Sequence, residues 1–423
     1  MQITTLKSIY HSLGPGILLA ATAIGVSHLI QSVQAGAKYG YFFIIMIILA
    51  HIIKYPFFEA APRYSSITKR SLLYGYYLLN PKYLIIYLIL TILSMFTVLS
   101  AVSVVAGGIL ANIIPVNLDI KIWSSLIIII CAIILIYGKY SLLDTAIKPI
   151  IILLTICTII AVFMALFSPI NKIPEFKIDF DFSNKSDILF LIAFLGWMPC
   201  PLDCAVWNSI WITEKNHQHS QDVYYSRSLL DFRIGFITTA ILGILFLMLG
   251  NLIFYSTGIA LSDKSIGFVA QLFEIYTSYL GQWAFLIIAI AAFLTMFSTV
   301  ITCLDGFTRS LTRTIRLLFF SDKQQSYEKT LYPKSLLFSL LGSLIILLYF
   351  LTSMKSLIYI ATIISFLTIP FFAYFNLKLI TNSNFPKKYH PSKNYIKLCY
   401  LFITILITFS LFFLYSRYSF LFP

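Results

Sequence analysis

The feature that most constrains this chain is a series of long apolar runs separated by short polar segments. An α-helix needs about 20 apolar residues to cross about 30 Å of hydrocarbon. The runs lie at residues 13–37, 41–60, 83–111, 122–138, 148–168, 188–213, 234–256, 282–304, 335–353, 357–377 and 397–416. They predict an all-α polytopic membrane protein with about 11 transmembrane helices, forming a single transmembrane domain over residues 1–423.

The composition excludes most soluble classes of protein. Hydrophobic residues make up 59% of the chain and charged residues 11%, whereas a soluble domain carries roughly 25% charged residues. No polar segment between the runs is long enough to hold its own core, and no catalytic motif is present, so we expect no enzyme. Disulfides are not expected either, because the cysteines lie within or at the edges of the runs: Cys131, Cys157, Cys200, Cys204, Cys303 and Cys399.

The net charge of +14 is explained by membrane topology. With the N-terminus inside, 21 of the 30 Lys and Arg residues fall on the cytoplasmic side and 8 outside, and Lys54 lies within a run. This asymmetry follows the positive-inside rule. We therefore expect a multi-pass protein of the inner membrane with a cytoplasmic N-terminus, and no nucleic-acid partner. The first run is too long for a signal peptide and is expected to remain as an anchor.

The sixth run is interrupted at its centre. Gly196, Pro199 and Pro201 cluster there, and Asp203 follows. Proline removes a helical hydrogen bond and clashes with the preceding turn, so two prolines one residue apart predict a broken helix. Freed backbone groups are tolerated at membrane depth only where they are buried in protein or line a wet cavity. The break therefore predicts a substrate site.

The first run is interrupted in a comparable place, at Gly25 and the residues up to His28. Runs 1 and 6 begin two successive halves of five helices each. Matching interruptions in two halves indicate an inverted-repeat transporter with its substrate site at the membrane midplane. We expect a first repeat at 13–168 (helices 1–5), a second repeat at 188–377 (helices 6–10) and an additional helix 11 at 397–416.

The end of the first run reads QAGAKYGY over residues 34–41 and closely resembles the QAGAKFGY stretch of the NRAMP family of divalent metal ion transporters. Arg63, Thr68, Met198-Pro199 and Pro370-Phe371 also match that family in placement. The resemblance implies a LeuT-type fold with two inverted repeats, as in the wider superfamily, and proton-coupled import of a divalent metal of the Mn/Fe type. It also implies that the Met198 side chain and the Leu195 carbonyl are metal ligands.

The chain departs from the family at the metal site. The family's first span carries Asp-Pro-Gly-Asn, whose Asp and Asn bind the metal, where this chain has Gly25, Val26, Ser27 and His28. The histidines of the family's sixth span fall on Cys200 and Ala205, and the carboxylates of its third span fall near Thr97 and Ser100. The resemblance therefore implies the fold more firmly than it implies the substrate.

Several residues at the two breaks could form the site. A neutral imidazole binds transition metals and can carry protons, although a buried histidine is often only hydrogen-bonded to a carbonyl. Thioether and thiol groups are soft metal ligands, but Met and Cys are also ordinary packing residues. The expected metal ligands are His28, Met198 and Asp203, and the expected substrate-binding residues are Gly25, His28, Leu195, Met198, Cys200 and Asp203.

Ionisable groups inside the runs suggest a path for charge. A charged side chain at membrane depth is costly, so it pairs, changes protonation or lines water. Lys54 could pair with Glu59, or it could neutralise Asp203; His51 could belong to the same polar track. We expect a proton or charge relay made of His28, Lys54, Glu59 and Asp203.

Three functions remain open from the sequence. The first is a secondary-active transporter of a divalent metal, with alternating access around the midplane site and protons as the coupling ion. The second is a related transporter of a small anion, such as bicarbonate or an amino-acid carboxylate, that uses Lys54 and His28. The third is a non-transporting membrane scaffold or sensor. In each case no cofactor is expected, and the partners are the lipid bilayer and a small ion or molecule.

Overall fold

The computed structural model describes residues 14–137, 140–167, 179–219, 225–255, 262, 265–320, 327–351 and 353–421. Every regular element in these ranges is helical. The α-helices in chain order are α1 (Pro15–Ala23), α2 (Val33–Tyr39), α3 (Phe42–Thr68), α4 (Leu72–Leu79), α5 (Pro81–Ile113), α6 (Ile120–Tyr137), α7 (Tyr140–Leu166), α8 (Lys185–Trp197), α9 (Cys204–His219), α10 (Tyr225–Gly250), α11 (Ser265–Leu280), α12 (Phe285–Phe319), α13 (Tyr327–Ile345), α14 (Met354–Ile380) and α15 (Lys393–Leu421).

The helices follow the apolar runs closely. Within the described ranges, eight helices are long and apolar enough to span a bilayer, and a bent pair formed by Pro15–Ala23 and Ser27–Tyr39 brings the number to nine. The fifth run contributes a shorter apolar helix, Ile152–Leu166, and the sixth is divided between α8 and α9. The count of eleven therefore stays a prediction, while the all-helical membrane architecture is confirmed.

Several segments outside the predicted spans also form helices, among them α4. Helix α12 continues to Phe319, beyond the end of the eighth run at residue 304. The amphipathic helix α11, Ser265–Leu280, lies between the seventh and eighth runs. No apolar run predicts a helix in that segment.

Glycines hold the first span against α10 on both sides of its break. A Cβ atom on Gly16 would lie 2.3 Å from the Asp231 carbonyl oxygen, and one on Gly235 would lie 2.2 Å from the Gly16 carbonyl oxygen. Beyond the break, a Cβ on Gly36 would lie 2.0 Å from the Leu247 carbonyl oxygen. Because these backbones touch, only glycine fits, which is a common use of small residues between membrane helices.

The start of α1 is fixed by a carboxylate from another helix. Asp231 of α10 accepts hydrogen bonds from the backbone N–H groups of Gly14 (3.1 Å) and Gly16 (2.8 Å). The first N–H groups of a helix have no intrahelical partner, and a carboxylate at this position also interacts favourably with the positive end of the helix dipole. The position of α1 is thus set by α10.

The outer surface of the helix bundle is apolar. Large side chains that are about half exposed occur on several helices, for example Ile52, Ile89, Ile133, Phe163 and Leu341. In water this surface would drive aggregation, whereas it matches the hydrocarbon core of a bilayer. The chain is a multi-pass membrane protein.

Candidate functional site

The sixth span breaks where the two prolines predict it. Helix α8 ends at Trp197, helix α9 begins at Cys204, and the six residues between them, from Met198 to Asp203, are not helical. Pro199 and Pro201 have no N–H to continue the hydrogen-bond ladder, so carbonyl groups at the end of α8 are left for other donors. Met198, Cys200 and Asp203 are all buried.

The first span breaks at Gly25, also as predicted. Helix α1 ends at Ala23, a π-helical turn covers Ser27–Ser32, and the two parts of the span are bent by 46°. A Cβ atom on Gly25 would lie 2.7 Å from Cγ2 and 2.8 Å from Oγ1 of Thr299 in α12. The break therefore needs a glycine because α12 approaches it closely.

Lys54 lies against the free carbonyls of the sixth span. Its Nζ donates to the carbonyl oxygens of Leu195 (2.7 Å) and Gly196 (3.1 Å), and the Cys200 carbonyl oxygen lies 3.4 Å away. The side chain is buried, with 2% of the residue exposed. An ammonium group has three N–H donors and no acceptor, so it matches this set of carbonyls. The Leu195 carbonyl, an expected metal ligand, is thus bound to a cation of the protein itself.

The two histidines of the site contact the same residue of α10. The Nε2 atom of His28 lies 2.9 Å from the Thr239 carbonyl oxygen, and the Nε2 atom of His51 lies 3.1 Å from the Thr239 hydroxyl. The His28 Nδ1 atom lies 2.8 Å from the Ser27 hydroxyl. Since a carbonyl oxygen only accepts, Nε2 of His28 must carry a hydrogen. His28, His51 and Thr239 therefore form a continuous polar track.

Met198 and His28 face a common space beside Gly243. The Sδ atom of Met198 and the Cδ2 atom of His28 lie 3.5 Å and 3.6 Å from the position that a Cβ atom of Gly243 would take. Both residues are fully buried. The thioether and the imidazole therefore border the same space, and their role as metal ligands stays a prediction.

Asp203 lies in the chain between Pro201 and Cys204, which line a small cavity at the break. Its Oδ1 atom is buried and has no hydrogen-bond partner, and Lys54 is close enough for an electrostatic interaction but forms no ion pair with it. The adjoining cavity holds about 20 Å³, which is room for about one water molecule. Cys200, Cys204 and Cys303 line it together with Thr22, Ser27 and Thr299, and the lining surface is mainly apolar. The site is therefore closed in this conformation.

Glu59 lies apart from these residues. Its Oε1 accepts from Arg63 Nη2 at 2.7 Å, and its Oε2 accepts from the Tyr395 hydroxyl at 2.6 Å. The suggested pairing of Lys54 with Glu59 is thus absent from the structure, because both Glu59 oxygens have other partners. The relay of His28, Lys54, Glu59 and Asp203 stays a prediction, with Glu59 joined to α15 instead.

No described group of three or more His, Cys, Asp or Glu side chains has the arrangement of a metal site. Other polar groups at the site were not singled out from the sequence, namely Thr239 of α10 and Thr299 and Cys303 of α12. The signal for the α12 residues was a row of buried hydroxyl residues on one helix: Thr295, Ser298, Thr299 and Thr302.

The similarity to solved transporters covers nearly the whole fold. A crystal structure of a variant of the manganese transporter of Eremococcus coleocola superimposes with a TM-score of 0.75 at 11% identity, covering 99% of this chain and 88% of that one. A substrate-bound Na⁺-coupled sialic acid symporter gives a TM-score of 0.61 at 15% identity, covering 94% and 89%. These likenesses confirm the LeuT-type fold.

Sequence comparison identifies the family. An uncharacterized protein of Pasteurella multocida (strain Pm70) is 36% identical over 380 residues, covering 88% of this chain and 87% of that protein. The sequence model of the Nramp family, described as natural resistance-associated macrophage protein-like, matches residues 16–416. This is a family of transporters, not of enzymes. The chain belongs to the Nramp family.

Proposed function

We propose that this secondary transporter carries a small carboxylate-bearing solute by alternating access around the breaks of the first and sixth spans. The observation that carries the proposal is the Lys54 ammonium group on the Leu195 and Gly196 carbonyl oxygens. A fixed positive charge at the midplane favours an anionic substrate group and repels a cationic one. The positive N-terminal end of α9, which begins at Cys204, supports the same sign.

The charge balance at the site argues against a divalent ion as long as Lys54 is protonated. Two unit charges 4 Å apart interact by about 4 kcal/mol at an effective dielectric constant of about 20, and a divalent ion doubles this. Carboxylates beside the ion would offset such repulsion, but Gly25 and His28 stand where the family has its Asp and Asn. Asp203 is the single carboxylate that lies beside the carbonyls among the described residues.

Asp203 adds a second requirement for the substrate. Its Oδ1 atom lacks a partner in the closed site, and an unpartnered buried acceptor costs about 1–3 kcal/mol. A substrate N–H group, or a proton, would supply the missing donor. An amino-acid-like solute has a carboxylate that the Lys54 charge attracts and an N–H group that can donate to Asp203. Proton coupling through Asp203 or His28 is part of the same proposal.

A divalent metal is the second candidate, supported by the adjacent Met198 thioether and His28 imidazole beside Gly243. In that mechanism Lys54 must first leave the Leu195 carbonyl oxygen, so that loss of the Lys54 proton and metal binding would be linked. The fold likeness to a manganese transporter is compatible with this candidate and with the first.

Uptake by proteoliposomes separates the two candidates. Labelled amino acids and other small carboxylates are compared with Mn²⁺ and Fe²⁺, detected by a metal-sensitive dye, with a metal-transporting Nramp protein alongside. Lys54→Met should abolish carboxylate uptake, whereas Lys82→Met, which removes an exposed lysine at the start of α5, should leave it unchanged. Metal uptake by the wild type that becomes faster in Lys54→Met would establish the metal candidate and overturn the carboxylate.

A further inference from the structure

A second cavity, which is polar, lies away from the helix breaks, where the ends of several spans meet. It has a volume of about 220 Å³ and lies between the corner that joins α3 to α4, the Thr213 turn of α9, the last turns of α12 and the start of α13. The topology predicted from the sequence places this end of the bundle in the cytoplasm. None of its residues takes part in the transport site described above.

Positive side chains dominate the lining of this cavity. Four of its residues are cationic, Lys69, Arg70, Arg313 and Arg316, and one is acidic, Glu328. The Arg316 Nε atom lies 2.9 Å from Glu328 Oε1, and the Arg313 guanidinium also pairs with Glu214 just outside the lining. Among the described residues of the lining together with Glu214, four side chains are positive and two are negative.

The two arginines are held in place before any ligand arrives. Arg313 and Arg316 lie one turn apart on α12 and are 8% and 7% exposed. The Arg313 Nη1 atom donates to the Thr213 hydroxyl at 2.8 Å, which fixes the plane of its guanidinium. A guanidinium fork matches the oxygens of a phosphate group, and little side-chain entropy is lost when it is already ordered.

The α3–α4 corner contributes the exposed part of the lining. Lys69 adopts a left-handed conformation with φ of 59°, and this turns the chain so that Lys69 and Arg70 are exposed beside the buried arginines. Basic residues at helix ends also follow from topology and from the negative C-terminal end of a helix dipole. Neither effect requires a polar cavity several times the volume of a water molecule among them.

We propose that this basic cavity binds a phosphate group, either of an anionic lipid headgroup or of a soluble phosphate. A bound phosphate would join α9, the second half of the broken sixth span, to α12 and to the α3–α4 corner. It would therefore hold together segments that must separate if this end of the transporter is to open. The site is independent of the substrate of the transporter.

The test uses the purified full-length protein and measures its thermal unfolding. Inorganic phosphate at millimolar concentration, compared with NaCl at equal ionic strength, should raise the unfolding temperature by several degrees. Lys69→Gln/Arg70→Gln should weaken the apparent affinity at least tenfold. Lys387→Gln/Lys388→Gln removes two exposed charges at the same predicted side of the membrane and should leave the affinity unchanged.

Thermal unfolding in nanodiscs distinguishes a lipid headgroup from a soluble phosphate as the ligand. If a lipid headgroup is the ligand, phosphatidylglycerol should raise the unfolding temperature relative to phosphatidylcholine alone, and the Lys69/Arg70 double variant should abolish the difference. Glu328→Gln removes the single carboxylate of the lining and should strengthen binding several-fold. Equal effects of phosphate and chloride together with no lipid effect, or equal losses in the two double variants, would overturn the proposal.

Discussion

Gly25 illustrates how a single residue sets the shape of the transport site. A side chain at this position would meet the Thr299 side chain, and overpacking of this kind costs about 1–3 kcal/mol. We expect Gly25→Ala to lower both the unfolding temperature and the uptake rate. Because the clash is with a side chain, adding Thr299→Ala should restore most of the stability; a double variant no better than Gly25→Ala would contradict the contact.

Gly235 serves as the control for Gly25, because a side chain there would meet backbone atoms and not a side chain. A Cβ atom there would meet the Gly16 backbone at 2.2 Å, and no neighbouring side chain can be shortened to relieve the clash. Gly235→Ala should therefore destabilise the protein more than Gly25→Ala. Thr299→Ala, introduced beside Gly235→Ala, should give no rescue when thermal unfolding is measured.

Some residue-level contacts were predictable and others were not. Glu59 lies four residues before Arg63, which places the two on one face of α3, and they form an ion pair at 2.7 Å. Lys54 lies five residues before Glu59, a spacing that turns it to another face, so simple helix geometry favours the observed pair. The contact between Lys54 and the Leu195 carbonyl joins positions 141 residues apart and depends on the register between two helices.

At the scale of the helices, the breaks were the most predictable feature. Pro199 and Pro201 act through their own covalent structure, so the end of α8 follows from the local sequence. The length of α3 did not follow in the same way, since Pro56 and Pro62 lie inside a helix that continues to Thr68. Tertiary packing decides which proline ends a helix, and the local sequence alone does not predict that packing.

The attachment of α1 to α10 gives a prediction at this scale. Asp231→Ala removes both hydrogen bonds to the start of α1 and leaves buried N–H groups without partners, which should cost about 1–3 kcal/mol. Asp119 accepts a single local hydrogen bond from the Lys121 N–H at the start of α6 in an exposed position, so Asp119→Ala should cost less. Thermal unfolding of both variants checks the order, and a larger loss in Asp119→Ala would contradict the role of Asp231.

At the scale of the whole molecule, the amino-acid pattern predicted the fold class, and the similarity to solved transporters confirms it. The orientation and the span count remain predictions. An N-terminus in the cytoplasm and eleven spans together place the C-terminus outside. A reporter that is active only outside the inner membrane, fused after Pro423, should be active, whereas the same reporter fused after Lys388 should be inactive; the reverse pattern would overturn the orientation.

The position of Lys54 has a consequence for the resting state of the transporter. The tethered Lys54 ammonium satisfies the carbonyls of the broken sixth span without a dissolved ion. Lys54→Ala removes this ammonium group and leaves the carbonyl oxygens without a donor. Millimolar methylammonium, which can supply the donor, should stabilise this variant against heat while leaving the wild type unaffected. Such chemical complementation would show that the Lys54 ammonium group takes the place of a dissolved cation at these carbonyls.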